Sequence, residues 1–503
     1  MRFQTISLVT LLCAATAVSA QEPAGKSRSI SLDEAVRLAL QQSLEIKIGY
    51  TTPQLSKLNL DAYSGVYDPV FRMRIGETYS KRPGNLDPNF SSTPLPGSET
   101  WTDIMSVGFS GYLPSGATYD IGASIDRQWG TFFGSTNNVE LDEEFGSDAA
   151  LTVTQPLLKN FWTDGNRANI KLAKRDLKAS ERGLEFTIMS AVHEVSQAYY
   201  NLVEAIDQVK VSEMALQLKE QSLADTIKKV QAGTLAPLDE KSAAAGAATA
   251  KANLIAARNR VEQAENALKV MIADEFLSVE SAKIVPTEKL VVVYQSFNKA
   301  ESWRNAIEKR PDYQREKEVL ERQNIWLEFS KNQLYPSLDL VGTYGRNGLG
   351  ATASDSLDTI GDHRFPRYGG ALVLTVPLGR KTERANHRVR KLNVENQLLQ
   401  MKKLERDLLR GVDDAVKKVA SAYTATESTR EARVFAEAAL EAEQKKLENG
   451  KSTNLDVLQL QDLLTQARSA EVRAMTTYIK ALYDAYFAEG TLLERQKITV
   501  EIK

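Results

Sequence analysis

The chain has 503 residues, and its 63 Lys and Arg side chains nearly balance its 65 Asp and Glu side chains, which gives a formal net charge of −2. This balance excludes the basic surface that is typical of nucleic-acid-binding proteins. A single cysteine, Cys13, excludes a disulfide framework.

The first 20 residues have the pattern of a secretory signal peptide. Residues 1–20 contain Arg2, then an apolar run, then Val-Ser-Ala before Gln21. Cys13 follows Leu12, whereas a lipoprotein signal needs a small residue before its cysteine. We therefore predict an exported, unlipidated chain without thiol chemistry. No apolar run of about 18 residues follows residue 20, so no transmembrane helix is predicted.

Alternating apolar and polar residues predict β-strands in two regions, 68–157 and 335–378. In residues 119–126, for example, Tyr119, Ile121 and Ile125 alternate with polar residues and glycine. This pattern is required of a transmembrane β-strand, but strands of soluble sandwiches alternate as well. Together with the signal peptide and the Gly/Asn/Ser-rich segments, it favours a β-barrel with exposed loops. Those loops are predicted at 80–100, 130–148 and 346–366. The strands are predicted near 69–79, 102–113, 117–129, 149–156, 336–346 and 367–377.

Long helical runs follow each β-region. From Arg167 to Ala232 the residues favour helix over roughly 65 positions, which corresponds to about 100 Å. The return run, from Leu238 to about Ile272, is much shorter. We therefore predict that the forward run consists of two helices stacked end to end.

A turn separates the forward and return runs at residues 231–239, "QAGTLAPLD". Gly233 suits the left-handed residue that ends a helix, and Pro237 suits the first turn of a new one. The segment "GKSTNLD" at 450–456 repeats Gly and Leu-Asp at the same spacing, 217 positions later (450 minus 233). Each segment is therefore predicted to be the tip of an antiparallel helical hairpin.

The same order of elements occurs twice in the chain. Pro69 is matched by Pro336 at an offset of 267, and Pro156 by Pro377 at an offset of 221, so the first β-region is longer by 46 residues (267 minus 221). The sequence thus predicts a duplicated helix–strand–strand–helix unit. The predicted divisions are a signal peptide (1–20), a first repeat (21–272, with β-region 68–157 and helical hairpin 166–272), a linker or equatorial segment (273–299), a second repeat (300–490, with β-region 335–378 and helical hairpin 380–488) and a C-terminal tail (491–503).

This duplication, the Pro-Leu that follows a strand in each repeat, "RPD" at 310–312 and the paired tips resemble the TolC-like outer-membrane efflux protein family. The resemblance covers about Ile30 to Leu493. It implies an α+β membrane protein, a homotrimer with a shared β-barrel in the outer membrane and a long α-helical coiled-coil barrel in the periplasm. It also implies a channel-tunnel that exports small molecules or proteins with a periplasmic adaptor protein and an inner-membrane transporter.

The resemblance also implies positions for the functional residues. Adaptor docking carries over onto the tips, and the periplasmic aperture onto the start of the last long helix. The docking residues are Gly233, Thr234, Leu235, Gly450, Ser452 and Thr453, and the aperture residues are Asp456, Gln459 and Asp462.

The chain departs from the family pattern at this aperture. Gln459 stands where a second carboxylate is expected, and Ser452 and Leu447 stand where an Arg and a Tyr are expected. Lys451 and Asp462 are candidates to replace them. Asp456 is equally consistent with an ordinary acidic residue at a helix N-terminus.

Nothing in the sequence indicates an enzyme or a cofactor. Three histidines lack metal-ligand spacing, and no nucleophile–base or catalytic carboxylate pair is evident. The alternative to an efflux channel is an exported structural or adhesive coiled coil with a β-head, or a periplasmic adaptor. An adaptor would contain one helical hairpin rather than two.

The longer first β-region has two interpretations. The family's usual barrel takes four strands per subunit, 12 in all. Four candidate strands in the first repeat and two in the second would give six per subunit and 18 in all. Alternatively, residues 102–129 form an extracellular hairpin above an ordinary barrel. The alternation of Tyr119, Ile121 and Ile125 favours insertion into the barrel.

Overall fold

A computed structural model describes residues 27–84, 97–133, 138–274 and 283–498. The predicted signal peptide lies outside the described residues. Within these ranges, none of the helices combines the length and the apolar character needed to cross a lipid bilayer.

Helices form most of the described chain. They are α1 (Leu32–Gln42), α2 (Leu44–Ser64), α3 (Gly165–Gln231), α4 (Pro237–Ile272), α5 (Lys299–Lys309), α6 (Pro311–Asn332), α7 (Ala353–Gly361), α8 (Lys381–Glu448), α9 (Asn454–Glu489) and α10 (Leu492–Arg495).

The helices α3 and α8 are each uninterrupted, over 67 and 68 residues respectively. The prediction of two stacked helices in the forward run was therefore wrong. Proline, the strongest helix breaker, is absent from both helices, so nothing forces a break. The length beyond the return helix is instead covered by other segments: α2 and α6 pack along α3, and α6 also packs along α8.

The helices lie side by side in a fixed order. Near the sheet, the order given by contacts is α2–α3–α6–α8, and towards the tips it is α4–α3–α9–α8. The largest buried cluster lies between these two levels, where α1 and α5 pack across the long helices. Tyr199 and Tyr478 are fully buried there, and their hydroxyls donate to the carbonyls of Ile30 (3.1 Å) and Val293 (2.6 Å). In each repeat, a buried tyrosine on a long helix thus bonds to the backbone of a segment that crosses the helices.

The described strands are β1 (Ser27–Ile30), β2 (Val70–Arg82), β3 (Ser98–Tyr112), β4 (Thr118–Phe133), β5 (Asn138–Pro156), β6 (Lys283–Pro286), β7 (Ser337–Gly350) and β8 (Pro366–Thr375). Six of them form one antiparallel sheet in the order β2-β3-β4-β5-β7-β8, and β1 and β6 form a separate parallel pair. All six predicted strands are confirmed, and the hairpin β3–β4 lies within the sheet rather than above it.

Two of the predicted loops were wrong in part. Most of segment 130–148 belongs to β4 and β5, because this hairpin extends well beyond the alternating stretch, and only 134–137 lies outside the described residues. Segment 346–366 contains α7, whose buried Ser356 accepts a hydrogen bond from Ser147 on β5 at 2.9 Å. Most of segment 80–100 lies outside the described residues.

The two faces of the sheet differ in polarity. The register aligns Phe71, Phe109, Ile121, Leu151 and Tyr344 on one face, where all except Tyr344 are aliphatic or phenyl side chains. The opposite face carries arginines, aspartates, serines and glycines. The predicted alternation therefore places apolar and polar side chains on separate faces of the sheet.

Candidate functional site

Both helical tips end with the same backbone arrangement. Gly233 has φ +75° and Gly450 has φ +69°, a conformation that L side chains rarely adopt. The amide of Gly233 donates to the carbonyl of Val230 (2.9 Å), and that of Thr234 to Lys229 (2.9 Å), which is a Schellman motif. The second tip repeats both bonds at equivalent positions, Gly450 to Leu447 (3.1 Å) and Lys451 to Lys446 (2.9 Å). The predicted tips are therefore confirmed as helix ends.

The return helices also begin alike. Asp239 accepts the amide of Ala236 at 3.1 Å in the first turn of α4. In α9, Asp456 accepts the amide of Thr453 at 3.3 Å and its hydroxyl at 2.6 Å, while the Asp456 amide donates to that hydroxyl at 3.2 Å. Asp456 and Thr453 thus form a capping box. The repeated Leu-Asp places an acidic residue in the positive first turn of each helix.

Asp456 is an exposed carboxylate. The hydrogen bond from the Thr453 side chain, and then that from its backbone, lower the pKa of Asp456 below its usual value. A lowered pKa keeps this group negatively charged at neutral pH. The structural role of a helix-start Asp, one of the two sequence interpretations, is therefore present, and it leaves the carboxylate charged and accessible.

The residues at the extreme ends of the tips are mostly exposed. Gly233, Thr234, Gly450 and Thr453 are exposed, whereas Leu235 and Ser452 are half-buried. The Ser452 hydroxyl donates to Glu443 Oε1 at 2.5 Å.

Sequence reasoning missed the most exposed apolar side chain of the first tip. Leu238 is 75% exposed, although it was used only as a landmark of the repeat. The sequence could have indicated this exposure, because Leu238 directly follows the proline that begins the helix and so lies in its first turn.

Among the described residues, three polar contacts join the first hairpin to the second near the tips. Asn454 Nδ2 donates to Thr226 Oγ1 at 3.2 Å, and both side chains are buried. Lys219 Nζ donates to the carbonyl of Leu458 at 2.9 Å and pairs with Asp462 Oδ1 at 2.7 Å. The Lys219 side chain is only 6% exposed, whereas Asp462 is 62% exposed.

Asp462, one of the two candidates to replace the missing aperture residues, thus pairs with a lysine of the first hairpin. Lys451, the other candidate, makes no side-chain ion pair among the described residues. The sequence could have indicated Lys219 as a buried cation, because it is a lysine on the packed side of α3. Its partner could not be identified from the sequence, because the order of the helices was not known. On α9, Asp456, Gln459 and Leu463 share an exposed face at helical spacing, while Asp462 points towards α3.

A family profile described as outer membrane efflux protein matches residues 122–274 and 304–490. The chain belongs to this family. As an efflux protein of this family, it is an outer-membrane protein that extends into the periplasm, and its family consists of channels rather than enzymes. The match also favours an efflux channel over a structural or adhesive coiled coil.

Solved outer-membrane channels share the fold of this efflux protein. It is similar to the Campylobacter jejuni CmeC channel (16% identity, TM-score 0.63, covering 92% of this chain and 86% of that one). It is similar to VceC from Vibrio cholerae (17% identity, TM-score 0.65, covering 91% of this chain and 96% of that one). It is also similar to the open state of Neisseria gonorrhoeae MtrE (18% identity, TM-score 0.63, covering 93% of this chain and 91% of that one). The comparison with curated proteins gave no match.

Proposed function

We propose that this efflux protein assembles as a homotrimer whose sheets form one β-barrel and whose helices form one periplasmic tunnel. The supporting observation is that, in the part of the chain that the structure describes, the sheet and the layer of helices beside it both have two unpaired edges. In the sheet, β2 and β8 each pair on one side only. Among the helices beside the sheet, α2 and α8 are the outermost. A head-to-tail interface that repeats around an axis would pair these edges and close a ring.

Apolar side chains at both edges support this assembly. On α2, Leu44, Ile48, Leu55 and Leu58 are 56–68% exposed and share one helical face. On α8, exposed apolar residues recur at spacings of three and seven; they are Val389, Leu392 and Leu399. Such stripes are typical of faces that are covered by another chain. The native mass of the detergent-extracted protein tests this assembly: three chains are expected, and one chain would contradict it.

The apolar face of the sheet has the features of a lipid-facing barrel wall. At the end of the sheet far from the helices, Tyr79, Trp101 and Trp129 form an aromatic row with ring centroids 4.9 and 6.3 Å apart. The adjacent row carries Glu77, Asp103 and Arg127, of which Asp103 and Arg127 pair with each other at 3.9 Å. Eight residues separate the levels of Phe71 and Tyr79, which is about 26 Å along a strand and about 20 Å across a tilted one. This approaches the apolar band of outer-membrane barrels.

We propose that six strands from each copy give a barrel of 18 strands instead of the usual 12. The β3–β4 turn supports this, because it lies against the start of α3 on the helical side of the sheet. There, Arg167 Nη1 donates to the carbonyl of Pro114 at 3.0 Å, and Ser115 Oγ donates to Gln155 Oε1 at 2.9 Å. A hairpin above a smaller barrel would have its turn outside the cell.

A cysteine in place of Ser115 tests the size of the barrel. We expect a membrane-impermeant maleimide to label Ser115→Cys only after the periplasm is opened, since the turn would lie at the periplasmic end of the barrel. Leu357→Cys, on the exposed face of α7 at the opposite end of the sheet, should be labelled on intact cells. Labelling of Ser115→Cys on intact cells would contradict the larger barrel.

We further propose that different regions of the chain occupy different positions in the cell envelope. The β-regions 68–157 and 335–378 cross the outer membrane, the hairpins 166–272 and 380–488 form the tunnel wall, and 273–299 forms part of an equatorial belt. The repeated tips would dock a periplasmic adaptor protein, which couples the tunnel to an inner-membrane transporter. The docking surface comprises Gly233, Thr234, Leu235, Gly450, Ser452 and Thr453.

The proposed docking requires an uncharged residue that tolerates positive φ at each tip, Gly233 and Gly450. Replacing Gly233 and Gly450 with Glu should abolish adaptor docking, because each position needs positive φ and each side chain would project from the tip. No atom lies within 4 Å of a Cβ at either position, so the fold of the chain should persist. The measurement is in-cell photo-crosslinking from Thr234 and Thr453, with identification of the captured adaptor by mass spectrometry.

Asn at both glycine positions is the matched control, since Asn tolerates the left-handed conformation and carries no charge. The Asn variant should still crosslink to the adaptor. Undiminished crosslinking of the Glu variant would show that the tips are not the docking surface.

At the periplasmic mouth, we propose that Asp456, Gln459 and Asp462 lie around the aperture. Three copies of Asp456 would form a ring of carboxylates that favours cations. The exposure and lowered pKa of Asp456 support this proposal. Because Asp462 is held by Lys219, it would act on the position of the hairpins rather than on passing ions.

A further inference from the structure

An unusual row of residues crosses the polar face of the sheet. The register joins Gly108 to Gly122, Gly122 to Ala150 and Ala150 to Gly345, so four adjacent strands carry almost no side chain at this level. An arginine lies at each end of this row. They are Arg72, which pairs with Gly108, and Arg367, which pairs with Gly345.

The rows on either side carry polar residues, so the small residues form the floor of a trough. A cavity of about 460 Å³ lies over this floor, and its lining includes Arg72, Arg74, Asp120, Asp148 and Arg367. We call this cavity the arginine trough. It is open to the polar face and has charged groups at both ends.

Some charged groups of the arginine trough have an ion-pair partner among the described residues, and others have none. Arg367 pairs with Asp148 at 3.0 Å. Arg72, Arg74 and Asp120 make no side-chain hydrogen bond or ion pair with any residue that the structure describes. Arg72 and Arg74 are two residues apart on one strand, so both guanidinium groups project from the same face. The trough therefore has two free cations at its β2 end.

Strand packing explains the glycines but not the arginines. A Cβ on Gly108 would lie 2.9 Å from the carbonyl oxygen of Ile121, and one on Gly345 would lie 2.8 Å from that of Ala149. The strands thus leave no room for larger residues at these two points. Charged residues also protect free edge strands, but in the proposed ring β2 is paired with the next copy. Two unpaired arginines beside a vacant floor indicate a binding function.

We propose that the arginine trough binds the anionic group, a carboxylate or a phosphate, of molecules that pass through the barrel. This inference rests on the proposed function, in which the polar face lines the lumen. The planar guanidinium fork binds such groups through two parallel hydrogen bonds. Asp120 would repel a second anionic group and favour a cationic one in its place. Three copies would present six such arginines in two adjacent rows of the lumen.

The test uses the full-length trimer in planar lipid bilayers, with inorganic phosphate as the probe. Phosphate should block the current through the native channel. The double variant Arg72→Gln/Arg74→Gln should need at least about tenfold more phosphate, because the loss of even one charged hydrogen bond is worth about that factor. The permeability ratio of chloride to potassium should also fall. Lysine at both positions should preserve that ratio but weaken the block, since lysine keeps the charge and loses the fork.

Arg346→Gln is the matched control, because Arg346 pairs with Ala149 on the opposite, apolar face. It should change neither the block nor the permeability ratio. A double Gln variant that conducts and retains both native properties would overturn this inference alone. A native trimer that conducts no ions would overturn the proposed function, and this inference with it.

Discussion

Replacing Ile48 and Leu55 with Asp should prevent assembly of the trimer and abolish channel conductance. Both side chains are exposed on the outer face of α2, at 68% and 60%, whereas Ile46 and Pro53 face the chain's own helices. Covering the exposed parts of these two side chains contributes about 2–4 kcal/mol per interface, and two buried carboxylates would oppose association further. Native mass spectrometry of the detergent-extracted protein should give one chain instead of three.

Gln54→Asp is the control on the same helix, since it adds a carboxylate beside the apolar stripe without removing an apolar side chain. This variant should remain a trimer. Because only exposed residues are changed, the double variant should still fold as a single chain, which circular dichroism can verify. A double variant that remains a trimer with native conductance would show that α2 is not part of the interface.

Replacing Lys219 with Met should loosen the contact between the two hairpins and raise single-channel conductance. The aliphatic stem of Lys219 is buried, and Met retains this packing. The variant loses only the ammonium, which bonds to the Leu458 carbonyl and to Asp462. A charged hydrogen bond contributes about 1.5–3 kcal/mol, and the exposure of Asp462 places the loss at the lower end of this range. If this contact holds the aperture narrow, its loss should widen the mouth.

Lys210→Met is the matched control, because Lys210 lies on the same helix and pairs with Asp207 at 2.7 Å within one turn. Its removal breaks an ion pair but no contact between hairpins, so the conductance should not change. Asp462→Asn should have a weaker effect than Lys219→Met, since the bond from Lys219 to the Leu458 carbonyl remains. Native conductance in Lys219→Met would place the gate elsewhere.

The sequence was sufficient wherever local periodicity and local backbone chemistry decide the structure. Alternation of side chains identified all six strands of the sheet, because the two faces of a strand meet different environments. Gly233 and Gly450 identified both tips, because few other residues tolerate a positive φ at a helix end. The order of these features, repeated twice, was enough to indicate the family.

The sequence failed where a segment's neighbours decide its structure. The forward run was predicted to break because its return helix is short. It continues as one helix because α2 and α6, which come from distant parts of the chain, cover its remaining length. Likewise, segment 346–366 was predicted to be a loop from its composition, although α7 forms there and packs on β5 and β7.

The sequence by itself determined where the six strands of the large sheet and the two tips lie, and hence the duplicated architecture and the family. Only the tertiary structure decided which charges meet. Asp462 pairs with Lys219, which is 243 positions earlier (462 minus 219), and the register brings Arg72 and Arg367 to opposite ends of one row of small residues. Such pairings depend on helix order and strand register, which are fixed by packing across the whole molecule rather than by any local pattern.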